Sequence, residues 1–459
     1  MIRRVFERRT RLDAPAEEVY GWHARPGALE RLSPPWDPPL VESRTGGIED
    51  EGARVVLRVG PLGQRWVAEH YGAVPGREFR DRQLSGPFAL WEHTHRMIPE
   101  GPSACTLEDR IEYALPAGQA GDALGGRAVR ALLDRMFGYR HRVTADDLAA
   151  HAASRGGRAM KVALTGASGL VGSALVPFLT AGGHEVVALV RRAPRGRDEV
   201  RWEPEGRTID AAALEGIDAV VNLSGENIAG RRWSEARKAL LRSSRLVPTR
   251  FLAETLAGLK RKPKVLVSFS AMGYYGNRGD AWLTEKDAPA DDFLGRLSVE
   301  WEQAAEPAAK AGIRVVHPRV GTVLTPAGGA LGKMLLPFKA GVGGVLGAGT
   351  QYMSWIAIDD LLGVLHHLLE RADIEGGVNA VAPSPVTNAV FTKTMGRVLG
   401  RPTIVPAPAF ALRLAFGEMA DAALLSGTRA RPVRLEASGY RFRFPGLEGA
   451  LRHLLGRTA

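Results

Sequence analysis

The sequence predicts two domains of different fold class: an α+β sheet that grips one long helix, followed by an α/β doubly wound parallel sheet. Three observations predict this. Residues 1–115 alternate strand-like segments with turn signals, and one amphipathic helical stretch follows them. Residues 160–325 alternate buried-type strands with helical segments, which specifies a parallel sheet covered by helices. A short run of small and basic residues separates the two patterns.

The length of the chain and that separating run define the domain organisation. At 459 residues the chain is too long for one ordinary core. We predict an N-terminal domain over 1–151, a linker over 152–159, a doubly wound domain over 160–325 and a C-terminal region over 326–459. The start-like Met160 directly after the linker indicates a fusion of two proteins.

The composition is that of a soluble globular protein, with 45% hydrophobic and 24% charged residues. No apolar run approaches the roughly 20 residues that span a bilayer, and the N-terminus lacks the apolar core of a secretion signal, so we expect no membrane span and a cytoplasmic location. A single cysteine, Cys105, excludes an internal disulfide framework and a cysteine-based metal cluster. The net charge of +11 comes from scattered arginines without a basic block, so we expect no nucleic-acid binding.

The N-terminal elements follow one another as a strand, two short helices, five more strands and a long helix. The strand-like segments are "RRVFERRTRL", "ARVVLRVGPLG", "QRWVAEHYGAVPG", "REFRDRQLSG", "FALWEHTHRMIP" and "CTLEDRIEYAL". Pro15 and the spacing of Leu29 and Leu32 predict the two short helices. The long helix is predicted from an apolar stripe at helical spacing, which comprises Val129, Leu132, Leu133, Met136 and Phe137.

Two histidines of the fifth strand, His93 and His95, share one face of that strand and have a spacing that can bind metal. No third cysteine, histidine or carboxylate is placed by the sequence pattern to complete such a site. We therefore predict hydrogen-bonded or solvated histidines and no metal.

The segment "KVALTGASGLVGSAL" predicts a phosphate-binding turn between a strand and a helix. Gly166, Gly169 and Gly172 remove side chains that would block a pyrophosphate or separate the helix from the strand. Backbone N–H groups and the positive end of the helix dipole then face the phosphate, and we include Ser168 and Leu170 of the turn in the site.

Arg191 and Arg192 end the next strand, about 20 residues after Gly172, where an NAD-selective site carries an aspartate or glutamate. Arginine at this position suits the 2′-phosphate of NADP, so we predict NADP(H) as the cofactor. The alternative is two solvated arginines in an arginine-rich chain.

Two further strand ends complete the predicted site. "IDAVVNLSG" ends in small or polar residues that let the adenosine half of a cofactor lie close, namely Asn222, Leu223, Ser224 and Gly225. "PKVLVSFSAMGYYG" is another buried-strand run, and it carries Ser268, Ser270 and Tyr275. We add Ser268 to the cofactor site.

These segments together resemble an extended short-chain dehydrogenase/reductase with a Rossmann fold: "TGASGLVG" as the phosphate turn, "NLSG" after the fourth strand and "SFSAMGYYG" as the serine-bearing strand. "GENIAGRRWSEARKALLRSSR", "MSWIAIDDL" and "LLSGTRARPVRLEASGYRFRFPGLEGAL" are similar to its atypical epimerase-like branch, over about residues 160–455. The order of elements in 1–150, with "APAEEVYGWHARPGALERLSPPW", resembles the START-like, Bet v 1-like (SRPBCC) helix-grip proteins.

The resemblance implies an NADP(H)-dependent oxidoreductase or epimerase that acts on a small molecule. It also implies an apolar ligand in the N-terminal domain, where the alternative is a cavity filled by its own side chains. Ser270 matches the catalytic serine of the superfamily, where the alternative is an ordinary hydrogen-bonded hydroxyl. Tyr275 is a candidate proton donor, where the alternative is packing of its ring over the cofactor. The Tyr-x-x-x-Lys pair is missing, because Leu294 and Ser298 occupy its positions. A non-catalytic NADPH-binding protein that acts on a partner is therefore the alternative, and a homodimer is compatible with either function.

Overall fold

The computed structural model describes residues 2–153 and 158–457, so residues 154–157 of the predicted linker lie outside the described ranges. The chain divides into two compact units. The first comprises the described residues up to 153 together with 177–183, and the second comprises 158–176 and 184–457. The predicted boundary at residue 325 lies inside the second unit and stays a prediction.

The first unit is a seven-stranded antiparallel sheet with one long helix and two short ones. Its strands are β1 (Arg4–Leu12), β2 (Leu40–Thr45), β3 (Arg54–Val59), β4 (Gln64–Val74), β5 (Glu78–Ser85), β6 (Leu90–Pro99) and β7 (Cys105–Ala114). Its helices are α1 (Ala16–Ala24), α2 (Ala28–Leu32) and α3 (Gly118–Ala152). The order β1-β7-β6-β5-β4-β3-β2 is a meander with the first strand added beside the last.

Helix α3 packs on this sheet through buried apolar side chains. The rings of Phe137 on α3 and Phe6 on β1 have centroids 5.3 Å apart, and both side chains are fully buried. Leu133 of the predicted stripe is buried in the same cluster. Leu132 is 40% exposed, so its place in the buried stripe is corrected. The predicted helix-grip fold is confirmed.

Strand β2 is absent from the sequence prediction. All six of its residues are exposed, so the segment lacks the alternation of buried and exposed positions that marks a strand. It forms the edge of the sheet and pairs with β3 through a register shift between Val41 and Ser43. An exposed, irregular edge strand is defined by its pairing partner and not by its own pattern.

The second unit is built around a parallel sheet. Its strands are β8 (Lys161–Thr165), β9 (Glu185–Val190), β10 (Glu199–Glu203), β11 (Thr208–Ile209), β12 (Ala219–Asn222), β13 (Val265–Ser268), β14 (Ser270–Ala271), β15 (Trp282–Leu283), β16 (Arg314–Val320), β17 (Thr322–Leu324), β18 (Tyr352–Met353), β19 (Trp355–Ala357), β20 (Gly376–Ala380), β21 (Val386–Thr387) and β22 (Arg429–Ala430). Its helices are α4 (Gly172–Ala181), α5 (Glu235–Ala257), α6 (Phe293–Ala304), α7 (Glu306–Lys310), α8 (Gly329–Lys339), α9 (Ile358–Glu370), α10 (Asn388–Leu399), α11 (Ala409–Phe416), α12 (Val433–Ala437) and α13 (Leu447–Leu454).

The main sheet has the order β11-β10-β9-β8-β12-β13-β16-β14, and β20 also pairs with β16. All of these pairs are parallel except that of β10 with β11. Every residue of β12 and of β13 is buried, because helices cover both faces of a doubly wound sheet. The predicted Rossmann-type fold is confirmed. No described helix combines the length and the apolar character of a bilayer span.

The contact between α3 and the sheet gives a test of the first unit. Phe137→Ala should lower its free energy of unfolding by roughly 3–5 kcal/mol, because a fully buried ring is lost from against Phe6. Leu132→Ala on the same helix is the matched control, with an expected change within roughly 1 kcal/mol. Urea unfolding of the full chain measures both, and equal losses would contradict the assigned packing of α3.

Candidate functional site

The candidate site lies at the carboxyl edge of the sheet in the second unit, between β8 and β12. The strand order reverses there, because β9 and β10 follow β8 on one side while β13 and β16 follow β12 on the other. The crevice at such a reversal is where doubly wound sheets bind ligands. The predicted cofactor residues follow β8, β9, β12 and β13, which are consecutive neighbours in this sheet.

The turn after β8 is closed by its own backbone. The Gly169 amide donates to the Gly166 carbonyl at 2.9 Å, and Gly166 has φ +71°, which favours glycine. A Cβ on Gly172 would lie 2.2 Å from the Gly166 carbonyl oxygen, so only glycine lets α4 begin this close to the turn. The amides of Ser168 and Leu170 have no acceptor within the described part of the chain, which leaves them available to an anion.

A buried polar network joins the strand ends beneath this turn. The Asn222 carboxamide accepts from the Thr165 hydroxyl at 2.7 Å and donates to Thr249 at 2.8 Å and to Ser268 at 3.2 Å. Both Asn222 and Ser268 are fully buried. Their side chains therefore hold β8, β12 and β13 together, and the chain surface beyond them is formed by Leu223, Ser224 and Gly225.

The two predicted arginines after β9 differ in what they contact. Arg192 forms an ion pair with Glu199, and that guanidinium together with the Arg195 amide lowers the pKa of Glu199 to about 2. Arg191 is exposed and has no hydrogen-bond or ion-pair partner among the described residues. Arg191 is thus the arginine that remains available to a phosphate at this strand end.

The two candidate catalytic residues lie in a second buried network. The Ser270 hydroxyl donates to Glu302 at 2.7 Å, and Arg319 binds the same carboxylate through two hydrogen bonds of 2.9 and 3.0 Å. Arg319 also donates to the Tyr275 hydroxyl at 2.9 Å, which donates in turn to Asn379 at 2.8 Å. Ser270 is 2% exposed and Tyr275 is fully buried, so both hydroxyls already have protein partners.

The electrostatics of this network favour fixed protonation states. Burial raises the pKa of Tyr275 to about 12, although the facing Arg319 opposes that shift. Burial alone would lower the pKa of Arg319, yet its bonds to Glu302 raise it. Arg319 therefore remains charged, and the Tyr275 phenol remains protonated at neutral pH.

Sequence reasoning did not identify Arg319, Glu302 or Asn379. The available signal was a charged residue in the apolar strand β16, which can only be accommodated there with a partner. The partner of Arg319, Glu302, comes from α6, and Asn379 on β20 accepts from the Tyr275 hydroxyl. The local sequence cannot show either contact.

Leu294 and Ser298, which stand where the superfamily has its Tyr and Lys, have close neighbours in the structure. The Ser298 hydroxyl donates to the Leu294 carbonyl at 2.8 Å, within its own helix α6. A Cβ on Gly273 would lie 3.0 Å from Leu294 Cβ, so this helix lies directly against the turn that follows Ser270. Neither residue offers an acid or a base there.

In the first unit, the structure corrects the premise that nothing completes a ligand set around His93 and His95. Asp81 on β5 is the cross-strand partner of His93, and Asp109 on β7 is that of His95. Both histidines are buried and contact these carboxylates. Burial would lower the pKa of His95, but Asp109 and Asp81 raise it to about 9.

Three family models match the sequence. The model "NAD dependent epimerase/dehydratase family" matches residues 162–381, and "Domain of unknown function (DUF1731)" matches residues 407–454. The model "Polyketide cyclase / dehydrase and lipid transport" matches residues 12–137.

An epimerase family protein of Mycobacterium tuberculosis is 46% identical over 296 residues, which cover 64% of this chain and 98% of that protein. The chain belongs to the NAD-dependent epimerase/dehydratase family. Within that family it is of the atypical epimerase-like type, with an N-terminal START-like domain, as the sequence resemblance implied.

Two solved structures are also similar to the chain. The nucleoside-diphosphate sugar epimerase from Corynebacterium glutamicum is 34% identical with a TM-score of 0.81, and the match covers 98% of this chain and 90% of that one. Human epimerase family protein SDR39U1, crystallised with NADPH, is 38% identical with a TM-score of 0.60, over 64% of this chain and 99% of that one. The Corynebacterium protein therefore resembles this epimerase-family chain along almost its whole length.

The close approach of α4 to the turn after β8 can be tested by substitution. We call this turn, with its Ser168 and Leu170 amides, the cofactor cradle. Gly172→Ala should destabilise the second unit by roughly 1–3 kcal/mol, because its Cβ would collide with the Gly166 carbonyl. Gly449→Ala is the control, since a Cβ there has open space in helix α13 and alanine favours helices. Thermal unfolding compares the two, and a Gly172→Ala variant as stable as the wild type would contradict this geometry.

Proposed function

We propose that the chain binds NADP(H) between β8 and β12 and acts as an oxidoreductase or epimerase on a small molecule. The observation that carries this proposal is a glycine-closed turn after β8 whose Ser168 and Leu170 amides have no acceptor among the described residues. At the end of the neighbouring strand β9, Arg191 likewise has no partner in the described part of the chain. The human relative crystallised with NADPH supports the same cofactor.

The residues of the cradle fit the cofactor by their chemistry. The amides of Ser168 and Leu170 would bind the pyrophosphate at the start of α4, where the helix dipole favours negative charge. Arg191 would bind the 2′-phosphate, and Leu223 to Gly225 would lie beside the adenosine. The cofactor supplies a hydride donor or acceptor, and the chain supplies its position.

A second candidate function is an NADPH-binding protein without turnover, and one observation favours it. The hydroxyls of Ser270 and Tyr275 both donate to protein acceptors, Glu302 and Asn379. For Ser270 to donate to a substrate carbonyl, its hydrogen bond to Glu302 must break. The Glu302 carboxylate would then keep only its hydrogen bonds from Arg319. The cofactor cradle has no such requirement, so binding is better supported than proton transfer.

The remaining expectations stay predictions. An apolar ligand in the first unit is supported by its match to a lipid-transport family, although part of that interior is lined by histidine and aspartate. A cytoplasmic location rests on the composition, and the absence of nucleic-acid binding rests on the scattered arginines. A homodimer is tested by the mass of the protein in solution.

Cofactor preference tests the first part of the proposal. Wild type should bind NADPH at least about tenfold more tightly than NADH, because a charge-assisted hydrogen bond is worth roughly 1.5–3 kcal/mol. Arg191→Ala should abolish this preference. Arg192→Ala is the matched control with a smaller expected effect, because Glu199 already binds that side chain.

Calorimetric titrations at one fixed salt concentration measure these affinities, since salt screens exposed charges. Equal affinities of the wild type for the two cofactors would contradict the NADP(H) assignment. An unchanged ratio in Arg191→Ala, with a changed one in Arg192→Ala, would transfer the role to Arg192.

Hydride transfer distinguishes the two candidate functions. With nucleotide sugars and small carbonyl compounds, we expect slow oxidation of NADPH, followed by its absorbance, because Leu294 and Ser298 cannot move a proton. Any turnover should fall by about 10²–10⁴ in Ser270→Ala with NADPH affinity unchanged. Rapid turnover that survives Ser270→Ala together with Tyr275→Phe would show that the chemistry lies elsewhere.

A further inference from the structure

The inner face of the sheet in the first unit carries a cluster of histidines and aspartates from three adjacent strands. Asp81 on β5, His93 and His95 on β6 and Asp109 on β7 are cross-strand neighbours, so their side chains share one face. His141 of α3 contacts Asp109 at 2.6 Å, which places the cluster on the face that the long helix covers. This cluster belongs to neither the cofactor cradle nor the network around Ser270.

Three of these side chains present metal-ligating atoms to one point. Asp81 Oδ2 lies 3.2 Å from His93 Nδ1 and 3.4 Å from His95 Nε2, and the three atoms all lie within 4.8 Å of one another. Donor atoms held about 2.0–2.2 Å from one ion lie roughly 3.0–3.6 Å from one another, so Asp81 Oδ2 already has ligand-like distances to both nitrogens. Two imidazoles and one carboxylate on one side of an ion are the facial set that divalent transition metals bind.

A fourth side chain, Asp109, contacts the two imidazoles on the edge of each ring opposite Asp81. One oxygen of Asp109 lies 2.9 Å from His93 Nε2 and 2.6 Å from His95 Nδ1, in each case the nitrogen that does not face Asp81. The contact of His93 is a hydrogen bond, of the kind that a metal-ligating histidine characteristically makes to a carboxylate through its other nitrogen, whereas His95 Nδ1 lies near the same oxygen without hydrogen-bond geometry. These contacts orient the rings, and with the metal bound the opposite nitrogen of each ring is deprotonated and directs its lone pair at the metal position.

A further layer supports Asp109. Its second oxygen lies 2.6 Å from His141 Nε2, and His141 Nδ1 lies 2.8 Å from the Thr10 hydroxyl. His141 is 2% exposed and Asp109 is 3% exposed. This series of contacts runs from Thr10 on β1 through His141 on α3 to Asp109. It therefore holds Asp109 in place against the two imidazoles, as the outer shell of a metal site does.

We propose that Asp81, His93 and His95 bind one divalent transition-metal ion in the first unit, with Asp109 and His141 as its outer shell. Three protein ligands leave the coordination sphere open to water or to an oxygen donor of a small molecule, as in catalytic rather than purely structural sites. His70 on β4 is the cross-strand partner of Asp81 and is a candidate for a fourth ligand.

Metal titration of the full chain tests this proposal. Protein stripped with a chelator should bind one equivalent of Zn²⁺ by calorimetry, and Co²⁺ should give the visible absorption of a nitrogen- and oxygen-ligated ion. His93→Gln together with His95→Gln should reduce the stoichiometry to zero. His367→Gln, a histidine of the second unit that contacts Ser438, is the matched control and should retain one equivalent.

The proposed role of His141 in the outer shell is tested by metal affinity and by the Co²⁺ spectrum. His141→Gln should weaken Zn²⁺ binding by about 10–100-fold and shift the Co²⁺ spectrum while one equivalent is still bound. If the double variant does not fold, Asp81→Asn replaces it, since this change keeps the size of the side chain and removes the charged ligand oxygen.

Two results would overturn the assignment. One is wild-type protein that binds neither ion saturably, in which case the cluster is an ion-pair network alone. The other is wild-type binding that the substitutions at Asp81, His93 and His95 leave unchanged. NADPH affinity reports separately on the second unit, so failure here leaves the cofactor proposal standing.

Discussion

One buried carboxamide, that of Asn222, sets the geometry on which the candidate cofactor site depends. It joins three neighbouring parallel strands at their carboxyl ends, because it bonds Thr165 at the end of β8 and Ser268 at the end of β13. The Leu223 amide donates to the same Thr165 hydroxyl at 3.0 Å, which holds the chain leaving β12 beside the turn. A buried amide left without these partners costs free energy, so the strand ends and the turn are held as one unit.

The parts of this arrangement that the sequence predicts are those with local causes. Gly166 and Gly172 could be assigned because a left-handed φ and a close helix approach each exclude a side chain within a few residues. The strands β8, β12 and β13 could be assigned because burial on both faces makes them continuous apolar runs. Their order and the site at their carboxyl ends then follow from the rules for doubly wound sheets.

The parts that the sequence could not predict depend on contacts between distant segments. Strand β2 is exposed throughout and exists through its pairing with β3. His93 and His95 were assigned to one face, but the register that places Asp81 and Asp109 beside them is a property of the assembled sheet. Arg319 and Glu302 are 17 residues apart, on β16 and α6, and neither segment alone indicates the pair.

The chain buries two charge clusters: the histidines and aspartates of the first unit, and Arg319 with Glu302 in the second. Each needs a physical reason, because an ion pair inside a protein adds little stability over apolar packing. The pair of Arg319 and Glu302 has one: it satisfies the hydroxyls of Ser270 and Tyr275 at the edge where the acid–base pair of the superfamily has been replaced. With those hydroxyls engaged, the second unit offers the residues of the proposed nucleotide site, whereas Ser270 and Tyr275 both donate to protein acceptors. The proposed nucleotide site after β8 and β12 uses none of these residues, so the nucleotide binding proposed above does not depend on proton transfer by Ser270 or Tyr275.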